Sequence, residues 1–155
     1  MSNPLWDYSL ATYALDGVAT SCLALQDTFG LDVNLLLYAA WLAQLDKRLS
    51  EHHLAGLEAE IGDWREQVIK PLRALRQQLQ AYSPAAGVRD EIKALELCAE
   101  QQQQDRMFAY FQQTADLAKT PRPLRENLVL VAQRACPRDA GWEPSVECLV
   151  TQLPL

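Results

Sequence analysis

One segment limits the fold more than any other. From Val33 to Leu45 the side chains at Val33, Leu35, Leu36, Leu37, Tyr38, Ala39, Ala40, Trp41, Leu42, Ala43 and Leu45 leave no polar face at helical spacing. A helix that is apolar all round has to be surrounded by other elements. Asp32 stands where an N-cap belongs, so the segment predicts a buried central helix over residues 32–46. At about 1.5–3 kcal/mol for each large side chain fully buried, it is also the expected main source of folding energy. Its longest apolar run, Leu35 to Ala43, is nine residues, against the roughly 20 that a membrane-spanning helix needs.

Helix signals surround it. Ser2 or Asn3 can cap a first helix with Pro4 at its first position, and Trp6, Leu10 and Tyr13 recur at helical spacing up to Gly17. Asp16 can cap a second helix with the stripe Val18, Cys22, Leu25 and Phe29, closed by Gly30. Ser50 caps another, carrying Leu54, Leu57 and Ile61 to Gly62. Asp63 to Tyr82 reads as one longer helix on Trp64, Val68, Leu72, Leu75 and Leu79, with a kink or break expected at Pro71. Ser83 to Gly87 reads as a loop. The stripe Val88, Ile92, Leu95 and Ala99 then runs into seven consecutive polar residues, Glu100 to Arg106. No buried face is expected there, so the helix should break near the glutamines or project. Apolar character returns at Met107, Phe108, Tyr110, Phe111, Ala115 and Leu117. A last strong helix after Thr120 and Pro121 carries Leu124, Leu128, Val131 and Ala135. The prediction is an all-α, single-domain bundle of about six or seven helices. It covers residues 1–136, with 137–155 a loosely attached tail.

Charge narrows the function classes. The formal net charge is −6, with 14 Lys plus Arg against 20 Asp plus Glu in 155 residues, which counts against broad nucleic-acid binding. Residues 1–46 hold Asp7, Asp16, Asp27, Asp32 and Asp46 and no Lys or Arg, whereas 64–76 hold Arg65, Lys70, Arg73 and Arg76 against Glu66. Either the two regions pair internally, or Lys70, Arg73 and Arg76 form a basic docking face. Four scattered cysteines without C-x-x-C spacing suit free thiols in a reducing compartment, mostly acting as small hydrophobes. The first residues lack the basic and apolar regions of a secretory signal. The expected location is cytoplasmic.

Catalytic motifs do not emerge. The six glycines form neither G-x-G-x-x-G nor a Walker loop, there is no G-x-S-x-G elbow, and neither histidine follows a Glu at the E-x-x-H spacing. No catalytic residue, metal ligand or cofactor site is assigned. His52 and His53, about 100° apart in a first helical turn, read as an exposed helix start. Asn34 is the harder residue, because it opens the all-apolar helix and a buried amide needs partners. Gln26 or Asp27 can satisfy it, or Asp7, Gln26, Asp27, Asp32 and Asn34 form a site for a partner or ligand.

Several stretches are distinctive: Leu5 to Ala14, Leu23 to Asp27, Gly30 to Leu37, Trp41 to Ala43 and Pro71 to Arg76. Together they resemble a family of proteobacterial proteins of unknown function, DUF2390, over about residues 4–82. The resemblance implies a bacterial, helical, cytoplasmic protein and brings no activity, cofactor or catalytic residue with it. Two functions stay in view. One is a non-enzymatic adaptor or regulator that docks another protein, with Phe108 and Phe111 in an exposed patch. The other is a small-molecule binder or enzyme with a pocket between the first three helices, lined by Trp6, Asp7, Asn34, Tyr38 and Trp41. Self-association is left open.

Overall fold

The computed structural model describes residues 2–82, 86–114 and 117–154. The chain is all-α. Its helices are α1 (Pro4–Tyr13), α2 (Val18–Phe29), α3 (Val33–Gln44), α4 (Glu51–Trp64), α5 (Lys70–Leu79), α6 (Ala86–Gln113), α7 (Leu124–Ala135) and α8 (Glu143–Gln152). A π-helical turn, Arg65–Ile69, joins α4 to α5. The described residues therefore form seven continuous helices and no strand. They divide into two compact units, Met1–Ala55 with Thr114–Leu155, and Gly56–Gln113.

In the first unit α3 is the buried element that its sequence predicts. Asn34 to Leu42 are all buried, and α1, α2 and α7 pack against it. Asp32 caps it, its carboxylate accepting from Asn34 N at 2.8 Å. Its other end closes in a Schellman turn with Asp46 in the left-handed region (φ 54°): Lys47 N donates to Leu42 O and Asp46 N to Ala43 O. Asn127 of α7 completes the closure from inside the core. Its amide donates to Ala39 O (3.1 Å) and Lys47 O (3.0 Å), and its oxygen accepts from Leu49 N (2.8 Å). One fully buried side chain thus satisfies Lys47 O and Leu49 N and adds a second donor to the helical carbonyl of Ala39.

Several expectations change in this unit. Asn3 caps α1 as expected, but the buried face is Leu5, Ser9 and Thr12, while Leu10 is exposed. The N-cap of α2 is Gly17 at φ 82°, without a side-chain cap, so Asp16 does not serve. The last turn before α7 ends in Pro123, so that helix starts at Leu124 and not beside Thr120. The segment expected as a loose tail, 137–155, is packed over part of its described residues. Trp142, Val146, Leu149 and Leu153 are buried, and α8 packs on α2 and α7. Ser21 Oγ donates to Gln152 Oε1 (2.9 Å) and Gln44 Nε2 to Pro154 O (2.7 Å), which pins the segment at the C-terminal end of the helix. Three prolines marked the region as irregular, yet its apolar residues recur every three or four positions, which is a docking stripe.

In the second unit the helix passes through Gly62, and the π turn accommodates the change of register just before Pro71 enters α5 at its first turn. Of the kink or break expected at Pro71, there is no break, and the irregularity is this π turn. Ala86 and Gly87 belong to α6, while Ser83 to Ala85, like Ala115, lie outside the described residues. The helix α6 runs for 28 residues, about 42 Å, straight through the glutamines. Gln103 and Gln104 are buried, which overturns the expectation of a solvated break. Ile92, Glu96, Ala99, Gln103 and Met107 follow one another at three- or four-residue steps. The buried stripe is intact, and it is partly polar.

Candidate functional site

The residues singled out from the sequence differ in exposure. Asp7 and Asp27 are exposed, Gln26 and Asp32 are half-buried, and Asn34 is buried. Asp32 is engaged as the cap of α3. Tyr38 and Trp41 lie inside the core with ring centroids 5.9 Å apart, whereas Asp7 faces solvent.

The basic strip is occupied as well. Arg76 Nε meets Glu96 at 2.6 Å, Arg73 reaches Glu96 (3.5 Å) and Glu100 (3.6 Å), and Lys70 pairs with Glu66 at 2.8 Å. Glu96 is buried and its carboxylate bridges two guanidiniums, with Glu100 as the second anion, so their partners come from α6 and not from the acidic first third. Hydrogen bonding to Glu96 holds the Arg76 pKa above its ordinary value. The strip is a seam between α5 and α6, and only Lys70 presents substantial charge to solvent.

His53 departs furthest from its expected place. It is buried, and its Nε2 lies 2.7 Å from the Tyr38 hydroxyl, while its backbone N–H donates to the Ser50 cap. Burial, with a smaller contribution from the neighbouring His52, pushes its pKa down to about 4. Of the cysteines, Cys22 is buried and its thiol is pushed up to about 12 by desolvation. Cys98 and Cys148 are exposed, so they do not act as core hydrophobes; all four are free thiols.

Two surfaces have the makings of a site. The first is on the α5–α6 hairpin. Helix α5 has no fully buried residue, and Leu75, Tyr82, Val88 and Leu95 are 44%, 64%, 54% and 56% exposed. Arg76 and Glu96 mark where the two antiparallel helices face each other. Leu75 and Leu95 each precede that pair by one residue, hence about 100° round the helix in the same sense, which puts both on one flank. Val88 shares that flank one heptad before Leu95, within the same helix. Leu97, one residue past Glu96 and also exposed, lies on the opposite flank. Phe108 and Phe111, expected to be exposed, are instead half-buried and stacked, centroids 6.4 Å apart. The stripe Leu72, Leu75, Leu79 was legible as apolar periodicity. What periodicity does not reveal is that Leu75 of this stripe is left 44% exposed.

The second surface is a cleft of about 640 Å³ in the first unit, lined by Arg48, Leu49, Ser50, Glu51, Leu117, Ala118, Glu126, Val129, Leu130 and Gln133. A short antiparallel pairing builds one wall: Arg48 N donates to Ala118 O and Thr120 N to Asp46 O, both 2.9 Å. Arg122 turns the chain in the left-handed region (φ 51°), its N–H directed at Asp46 Oδ1. The facing wall is α7. No sequence motif flags this cleft, because its walls come from segments some 70 residues apart.

Among the described residues no group of three His, Cys, Asp or Glu is placed to hold a metal ion, and no helix is long and apolar enough to cross a membrane. No curated protein and no solved structure matches the chain. A family model described as "Protein of unknown function (DUF2390)" matches residues 4–107, further than the sequence resemblance reached and taking in the whole apolar flank of α5 and α6. The chain belongs to the DUF2390 family.

Proposed function

We propose that this protein is a non-enzymatic interaction domain of the bacterial cytoplasm, which docks an amphipathic helix of a protein partner along the α5–α6 flank. One observation carries the reading: Leu75, Val88 and Leu95 are large, apolar, about half exposed and on the same side of a two-helix hairpin. Two antiparallel helices with adjoining apolar stripes offer a groove that a third helix fills, with anchor residues at three- and four-residue spacing. The four free thiols support a reducing setting. The ion pairs of Arg73 and Arg76 with Glu96 support a rigid hairpin, so the groove is preorganised before a partner arrives.

Affinity capture with the wild-type chain and with a Leu75→Glu, Leu95→Glu variant tests this. Both positions face solvent, so circular dichroism should show an unchanged fold. A partner held by the wild type and lost by the folded variant is the expected result. A partner retained equally by both would remove the flank from the function.

A further inference from the structure

The cleft of the first unit presents a chemistry that the docking flank lacks. Its floor is apolar: Leu49 and Leu117 are buried, and Val129 and Leu130 half-buried. Its rim carries one cation, Arg48, and two anions, Glu51 and Glu126, all solvent-exposed. These three charges line one cleft without closing on one another, and among the described residues none of them enters an ion pair. Arg125, next to Glu126, is taken by Glu147 at 2.8 Å. The volume falls in the range of small-ligand pockets.

Opposite charges held apart around an apolar floor are complementary to a ligand that carries both charges on an apolar body. A simple anion would meet two carboxylates, and a simple cation would meet the guanidinium. The geometry points to a binding site for a short apolar peptide with free termini. Its carboxylate lies against Arg48, where a guanidinium offers two parallel donors, its ammonium against Glu51 and Glu126, and its side chains on Leu49, Leu117, Val129 and Leu130. The site is separate from the α5–α6 flank and does not depend on that reading.

The test is isothermal titration of the full chain with dileucine, with N-acetyl-dileucine and with dileucine amide. Wild type is compared with Arg48→Gln and with a Glu51→Gln, Glu126→Gln double variant; all three positions are exposed, so these neutralisations leave the fold intact. The free peptide is expected to bind saturably, and each cap to weaken it about tenfold, the worth of one charge-assisted contact. In Arg48→Gln the free and amidated peptides should bind alike, and in the double variant the free and acetylated peptides should bind alike. Two results overturn the proposal: no saturable binding of the free peptide at millimolar concentration, or binding that ignores the caps and the variants.

Discussion

Tyr38 and His53 hold each other inside the first unit, hydroxyl oxygen to Nε2 at 2.7 Å, with neither ring reaching solvent. The contact ties the middle of the central helix to the first turn of α4. Burial keeps His53 neutral, and a single buried hydrogen bond joins its Nε2 to the Tyr38 hydroxyl.

A pH dependence follows. The folded-state pKa of His53 is lowered to about 4, whereas the unfolded chain titrates near the ordinary 6.5. Above pH 6.5 both states are neutral and the full stability is present. As pH falls the unfolded state takes up a proton first, so stability is lost between about 6.5 and 4. Between pH 7.5 and 5.5, before most carboxylates titrate, the loss should be roughly 1 kcal/mol. Urea midpoints at several pH values measure it, and a His53→Gln chain should lack this component. An identical slope in that variant would mean that other groups carry the effect.

Asn127 is expected to be the most sensitive single polar position in the core. Replacing it by Ala leaves Lys47 O and Leu49 N without this partner at once and strips the second donor from Ala39 O. At about 1–3 kcal/mol for each buried group left unmade, partly relieved by entering water, a total of about 3 kcal/mol is expected. Denaturant unfolding of Asn127→Ala gives the number. A change below about 0.5 kcal/mol would mean that the helix end is solvated rather than sealed.

Gly17 combines two constraints. Its φ of 82° is one that a side chain resists, and a Cβ there would stand 2.5 Å from Gln152 Nε2 on α8. Gly17→Ala should cost about 1–2 kcal/mol for the backbone alone. The steric part is separable, since Gly17→Ala in a Gln152→Ala background should recover only what the collision contributed. Thermal unfolding of the two single variants and the double variant closes that cycle. Full recovery in the double variant would contradict the backbone part of the argument.

Much of the frame was legible in the residues themselves. The apolar run of α3 announces a surrounded helix, and Asn3, Asp32 and Ser50 announce three helix starts, because capping is a local reaction between a side chain and nearby N–H groups. The glutamines were illegible for the opposite reason. Gln103 and Gln104 look like solvated residues in a polar run, and only the packing of the fold puts them on a buried stripe. His53 likewise needed Tyr38, fifteen positions earlier, to explain its burial. Arg73 and Arg76 read as a free basic face until Glu96 arrives from the next helix. The docking flank is a failure of another kind: its residues were identified as apolar, but an unburied stripe and a buried one have the same sequence.

The central claim is that one flank of the α5–α6 hairpin receives a partner helix. The direct measurement is site-specific photo-crosslinking in cells of the source organism, with a benzophenone side chain placed in turn at Leu75, Leu95 and Leu97. All three positions are exposed and apolar, so general stickiness would label them alike, and only the first two lie on the proposed flank. The account predicts one common adduct from Leu75 and Leu95 and none from Leu97. Equal labelling from Leu97, or no adduct from Leu75 and Leu95, would contradict it.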